Sequence, residues 1–470
     1  MGEGTRDGAA WRRRRRRQWT LSLVTVAALL DSADEAVLPA VYREVVGAAL
    51  GASPTALGTL TLCRSLVQAL CYPLAACAAA RCDRARVVAA GAFLWAAATL
   101  LVGASATFPQ MAAARGFNGV GLALVVPAIY SLVADYSDDA TRGAAFGWVY
   151  MAQGMGSVTG GALGVQLANA AVLGVLTWLL AADPRPAGGT KTAATVAQVA
   201  VEVVREVKAV VSVPTFWVIV AQGVASSVPW SAVGFAAMWL ELKGFTQRET
   251  AVVTGLNGVA TALGALCAGF AADPVARRFP NTGRIALAQL SNASAAPVAA
   301  VLLLALPGHG HPLAAAAYAA AFFLLGFAMP WCPVTTNNPI FAEVVPEKAR
   351  TTVYALDMCL ESVLMSFGAP VVGILAERVF GYRPAAGGRE NAAALGKAML
   401  AEIAVPATVC CVAYTALYWT YPADRQRARM AAALPPPGGQ GCDCEAVSGA
   451  AIASTAADSS LNQALLHGAE

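Results

Sequence analysis

Long apolar segments recur along the whole of this chain, and several of them hold acids in their interior. Segments of crossing length run at 19–41, 55–80, 87–107, 110–134, 143–165, 169–182, 214–240, 250–272, 284–306, 312–333, 350–379 and 396–421. A helix needs about 20 apolar residues to cross a bilayer, and a helix satisfies its own backbone where water is absent. Charged residues make up 13 % of the chain, against about 25 % in a soluble domain, which excludes a water-covered globule. The expected fold class is therefore an all-α membrane protein of about twelve transmembrane helices.

The order of the segments gives the organisation. A basic arm, 1–18, carries the arginine run Arg12–Arg17. It resembles the start of a signal peptide, but the apolar run that follows is too long and holds acids, so it reads as an uncleaved first span. A first bundle is expected over 19–182, a linker over 183–212, a second bundle over 213–421 and a disordered tail over 422–470. Within the linker, Glu202–Lys208 reads as an amphipathic helix on the membrane surface. Gly143–Ala182 contains no charge and must hold two crossings and a turn. With the turn at Gln166 and Asn169, the sixth helix is abnormally short; a single re-entrant element is the competing reading. With twelve spans and a cytoplasmic N-terminus, most Lys and Arg fall in the inside segments, as the positive-inside rule requires. Both termini are then cytoplasmic.

The two halves echo each other. Asp135 precedes Arg142 by seven residues in "ADYSDDATRG", and Glu343 precedes Arg350 by seven in "AEVVPEKARTT". "RCDRAR" follows the second span as "ADPVARR" follows the eighth. Two pseudo-symmetric six-helix bundles follow, the repeat by which many secondary transporters place a substrate site between halves. Asp83, Arg84, Asp135, Arg142, Asp273, Arg277, Glu343 and Arg350 are the candidate cytoplasmic gate; solvated loop charge is the alternative.

Charges inside the spans carry the chemistry. A charge at a helix centre costs about 2.5–3.5 kcal/mol on insertion scales, so it faces a partner or a cavity. Asp31, Asp34 and Glu35 of the first span share a depth with Arg64 and Arg115, and pairing among them is expected. Asp31 is placed at the cavity wall. In the eleventh span Asp357 and Glu361 stand four residues apart, on one helix face, with no Lys or Arg at that depth in the facing spans; a kink towards Arg350 is the other option. These acids are candidates for substrate or proton coupling, and static salt bridges are the alternative. Gln222 and Trp230, flanking Pro229 in the seventh span, are candidate cavity residues. Glu402, near the outer end of the last span, reads as solvated. Glycines crowd the fifth span from Gly143 to Gly164, which suits close helix packing. The cysteines lie mostly in apolar runs, as packing residues; Cys442 and Cys444 in the tail are candidates for acylation. His309 and His311 are too few for a metal site. No metal, no cofactor and no nucleic acid is expected. A nucleotide-binding loop of the Gly-Lys-Ser/Thr type is absent, and no catalytic motif of an intramembrane enzyme stands out.

These residues resemble the major facilitator superfamily, and within it the spinster-like branch as found in plants. The match rests on Arg115, Gly119, Gly121, Pro127, Asp135 and Arg142 in the fourth span and its loop, and on "GFAADPVARR" (269–278). In "AARCDRARVV" Ala79 stands where the superfamily has Gly. The resemblance implies that Asp34 and Arg115 take part in coupling. It also implies a monomeric secondary transporter working by alternating access in the plasma membrane or an endomembrane. Its substrate would be a lipid-like amphiphile or a small organic solute, and the proton is the candidate coupling ion. The stretch between the fifth and sixth spans is shorter than in relatives, so the alternative is a non-transporting membrane protein, a sensor or a variant defective around helices five and six.

Overall fold

A computed structural model describes residues 3–41, 54–160, 166–181, 196–307, 313–365, 368–383 and 388–433. Among these residues every regular element is helical. The first half comprises α1 (Glu3–Val41), α2 (Pro54–Arg81), α3 (Arg84–Gly103), α4 (Phe108–Tyr136), α5 (Arg142–Gly160) and α6 (Gln166–Leu180). A linker helix, α7 (Val196–Val211), follows. The second half comprises α8 (Pro214–Gly234) with its continuation α9 (Ala236–Leu242), α10 (Gln247–Arg278), α11 (Gly283–Ala300), α12 (Ala314–Ala328) with α13 (Asn338–Val344), α14 (Arg350–Met365) with α15 (Gly368–Ile374), and α16 (Gly388–Ala433). All but the end of α16 belong to one compact unit, Met1–Ala428.

Local chemistry sets where these helices begin. Pro109 and Pro214 open α4 and α8, at first-turn positions where a missing N–H costs nothing. Asp83 caps α3 by accepting from Ala85 N at 2.8 Å. Thr246 and Glu249 close a reciprocal capping box at the start of α10.

Eight of the helical segments are long and apolar enough to cross a membrane by length and composition. Helices α1, α5, α6 and α14 fall outside that group: α1 holds acids in its apolar stretch, α5 is dense in glycine, and α6 and α14 are short, at 15 and 16 residues. Helix α6 has 15 residues, about 22 Å of rise against a hydrocarbon core of about 30 Å. Gln166 and Asn169 are in this helix rather than in a turn.

Two further boundaries differ from the sequence reading. Helix α16 continues through Pro422 to Ala433, so part of the expected disordered tail is helical. The extension is anchored: Asp424 accepts from Thr215 N at 3.0 Å and Thr215 Oγ1 at 2.7 Å, at the start of α8. Helix α7 does more than lie on a surface. It packs against α2 and α14, and its Glu206 accepts from Thr352 Oγ1 at 2.6 Å.

The halves meet along two helix pairs, α5 with α10 and α2 with α14. The glycines of α5 explain the first contact. A methyl group at Gly147 would stand 3.0 Å from the Ala265 carbonyl oxygen, and one at Gly154 2.9 Å from Ala262 Cβ. Small residues let the two backbones approach this closely. Replacing Gly147 with Val is expected to lower the stability of the detergent-solubilised chain by about 1–3 kcal/mol. Gly103→Val, at a position where a methyl meets nothing within 4 Å, is expected to leave the thermal midpoint nearly unchanged.

Candidate functional site

Two charge clusters and one cavity make up the candidate site. The first cluster lies where α4 ends and α5 begins, together with the matching ends of α13 and α14. Asp135, the penultimate residue of α4, pairs with Arg84 at the start of α3 at 2.5 Å, and with Arg350 at the start of α14. Glu343, the penultimate residue of α13, lies 3.6 Å from Arg284 at the start of α11 and 3.8 Å from Arg142 at the start of α5. Each acid thus sits between an arginine of its own half and an arginine of the other. The seven-residue echo in the sequence becomes a pair of matching bridges across the interface. Arg84 is fully buried, Arg142 is 5 % exposed and Arg350 is 9 % exposed, which excludes solvated loop charge for these groups.

Asp273 adds a different kind of contact. Its carboxylate accepts from Gly143 N at 2.8 Å and Ala144 N at 2.9 Å, at the first turn of α5. The unsatisfied N–H groups of a helix N-terminus attract an anion there. Asp83 does not play the mirror role: it is exposed and caps its own helix. Arg277 is exposed too, and no ion pair to it occurs among the described residues. The sequence reading placed both in the gate. It missed Arg284, which reaches Asp273 at 3.6 Å as well as Glu343, and Arg425, which pairs with Glu343 at 2.9 Å. The signal for Arg284 was its place at the head of the helix after the loop, as Arg84 heads α3. Beside this cluster, the Thr141 hydroxyl donates to Asp138 at 2.7 Å and holds that exposed loop carboxyl below the usual carboxylate range.

The second cluster is inside the first half. Asp34 of α1 lies 3.4 Å from Arg115 of α4 and 4.0 Å from Arg64 of α2. Arg64 also reaches Asp31 at 3.5 Å, and its Nε donates to Asn118 Oδ1 at 3.3 Å. The Trp95 indole donates to Asp34 Oδ1 at 3.2 Å. The depths expected for these residues therefore coincide in space. The side chain of Glu35 lies outside the described residues. Asp31 faces Arg64 rather than the cavity; its neighbour Ser32 takes the place at the wall.

The cavity, of about 420 Å³, opens between the halves. Ser32 of α1 and Tyr150, Gln153 and Ser157 of α5 line it from one side, and Ser226, Trp230, Asn292 and Glu361 line it from the other. Trp230 stands at the wall as expected, with Pro229 beside it. Helix α8 runs through Pro229 and breaks later, at Phe235. Gln222 does not line the cavity. It is fully buried, accepting from Asn337 Nδ2 at 2.9 Å, and Tyr414 completes the chain by donating to Asn337 Oδ1 at 2.8 Å. A widened helical turn over Pro333–Asn337 brings Asn337 into this network.

Asp357 and Glu361 sit side by side on α14, and no Lys, Arg or His pairs with either among the described residues. Arg350 does not kink towards them, since it is held by Asp135 and donates to the Ala342 carbonyl at 2.8 Å. Asp357 is 6 % exposed, and its Oδ1 has no hydrogen-bond partner among the described residues. Glu402 is corrected from solvated to buried: it is 3 % exposed, and neither carboxylate oxygen is hydrogen-bonded among the described residues. The long α16 passes it beneath the apolar cluster around Met399 and Ile403. His309, His311, Cys442 and Cys444 lie outside the described residues.

This arrangement, two matched halves around a central cavity with charge bridges at one end, is that of a membrane transporter. The family model described as Major Facilitator Superfamily matches residues 24–370, and the chain belongs to that superfamily. It is accordingly a multi-pass secondary transporter rather than an enzyme. A bacterial homologue of the human lysosomal transporter Spinster, solved inward-facing and both unoccupied and occupied, is 18 % identical. The alignment covers 87 % of this chain and 98 % of that one, with a TM-score of 0.57. The human organic anion transporter MFSD10 (TETRAN) is 14 % identical, with 86 % of this chain and 99 % of that one covered and a TM-score of 0.62. The likeness to the spinster homologue is one of fold. No curated protein matches the sequence.

The bridge geometry ranks three substitutions. Asp135→Asn removes the acid shared by two buried guanidiniums, whereas Arg84→Gln and Arg350→Gln each leave Asp135 with the other one. Removing one member of a buried pair costs about 3–5 kcal/mol. Asp135→Asn is therefore expected to lower the thermal midpoint more than either arginine variant, in parallel melts of the purified chain.

Proposed function

We propose that this chain moves a lipid-like amphiphile or small organic solute across a membrane by alternating access, with the bridged end facing the cytoplasm and closed. The observation that carries this reading is the matched pair of bridges, Arg84–Asp135–Arg350 and Arg284–Glu343–Arg142. Both join the halves at one end, while the cavity lies deeper between them. Glu361 is eleven residues along α14 from Arg350, about 16 Å of helix. The bacterial spinster homologue, solved inward-facing, has the same fold, which fits a second state in which bridges of this kind part. The positive-inside bias supports the orientation, with both termini cytoplasmic. The spinster-like branch as found in plants is the branch reading, and a monomer the assembly reading, that accompany it.

Proton coupling is assigned to the Asp34 cluster. Arg115 and Arg64 compete for Asp34 in a buried site, where a carboxylate's protonation depends on which cation stays beside it. A movement of α1 against α4 changes that balance and links proton binding to the state of the cavity. The static alternative keeps the cluster as a strut of the first half.

Asp34→Asn is expected to abolish the pH dependence of uptake into proteoliposomes while leaving the protein folded. Unchanged pH dependence would assign the cluster to structure. Tags in the 183–212 linker and after Ala433 are expected to be accessible from the same face of sealed vesicles. Opposite accessibility would mean that α6 does not cross, and would favour the non-transporting alternative.

A further inference from the structure

The central cavity carries a charge signature that narrows its ligand. Among the described residues that line it, Glu361 is the charged one. Behind it stands Asp357, 94 % buried by its 6 % exposure, with one oxygen lacking a hydrogen-bond partner among the described residues. The titratable groups facing this pair are Tyr150 of α5, Tyr354 on α14 itself, and Cys410 and Tyr414 of α16. None supplies a positive charge. The buried arginines Arg84, Arg142, Arg284 and Arg350 are engaged in the bridges, and Arg64 and Arg115 beside Asp34.

Two acids in a low-dielectric wall without a counter-charge are costly to hold ionised. A cation from outside the protein offsets that cost and a second anion adds to it. The rest of the lining suits the same ligand. Tyr150 and Trp230 are among the residues that line the cavity, and aromatic faces attract ammonium and aryl-cation groups. Serine hydroxyls and the Asn292 amide offer hydrogen bonds around them. The carboxylate of Glu361 is pressed against Gly223 of α8, where a methyl group would overlap it, so its position is fixed by a residue without a side chain.

We propose that the cavity binds the cationic amine head of an organic substrate through Glu361, and that proton and substrate compete for that carboxylate. This rests on the transporter reading given above and names its substrate class. It sets this chain apart from a carrier of organic anions, whose ligand would meet the acid pair with no basic group at the wall.

The test is binding to the purified full chain, measured separately from flux. Labelled 1-methyl-4-phenylpyridinium serves as the cation and para-aminohippurate as an anion of similar size. The expected result is saturable binding of the pyridinium, weakened as pH falls, and little binding of the anion. Glu361→Gln is expected to weaken pyridinium binding about tenfold or more, a loss of at least one charge pair's worth of affinity. Glu361→Asp should retain part of it, and Gly223→Ala, which displaces the carboxylate, should weaken it without altering the elution profile. Preference for the anion, binding of neither probe, or pyridinium binding that ignores both Glu361→Gln and Gly223→Ala would overturn the proposal. Cation binding without flux in proteoliposomes would leave it standing and count against the transporter reading instead. Flux of the anion alone would do the reverse.

Discussion

A buried charge is costly to hold without a counter-charge, and the layout of this molecule follows from how that cost is met at Asp135 and Glu343. Each acid ends a helix of one half and lies between two arginines, one that starts a helix of the same half and one that starts a helix of the other. Buried guanidiniums cannot be left unpaired without a cost of several kcal/mol. The starts of α3, α5, α11 and α14 are therefore fixed relative to the ends of α4 and α13. With those ends fixed, α5 and α10 lie close enough that only small residues fit between them, and Gly143, Gly147 and Gly154 fill that role. Asp273 completes the contact by capping the α5 N-terminus from α10.

The interior acids divide into two kinds by what surrounds them. Asp34 is satisfied from three sides, by Arg115, Arg64 and the Trp95 indole. Asp357, Glu361 and Glu402 belong to the second half and meet no cation among the described residues. This asymmetry is notable because the helices themselves are arranged in matching pairs. The halves share a scaffold and differ in where they leave charge uncompensated, so the chemistry of the cavity wall comes mainly from the second half.

Much of this was legible in the sequence. The helical, multi-pass class followed from the length of the apolar runs, because a helix must be about 20 residues long to satisfy its backbone across hydrocarbon. The repeat was legible in the shared seven-residue interval of Asp135–Arg142 and Glu343–Arg350. The meeting of Asp34, Arg64 and Arg115 was legible from depth alone, since rise per residue is fixed at about 1.5 Å. What was not legible was direction around each helix axis. Asp31 and Ser32 are neighbours in sequence, yet one faces Arg64 and the other the cavity. Gln222 and Trp230 occupy one helix, yet one is sealed behind Asn337 and the other lines the wall.

By itself the sequence determined that this is a helical membrane protein of two echoing halves with acids at defined depths, because hydrophobic length and spacing are properties of a single segment. The tertiary structure alone decided which charges pair across the interface. It joined Arg284, and not Arg277, to Glu343, left Asp83 on its own helix, and buried Glu402 without a partner among the described residues. Those outcomes depend on the rotation and approach of helices far apart in the chain, and the close packing of small residues between them settles both.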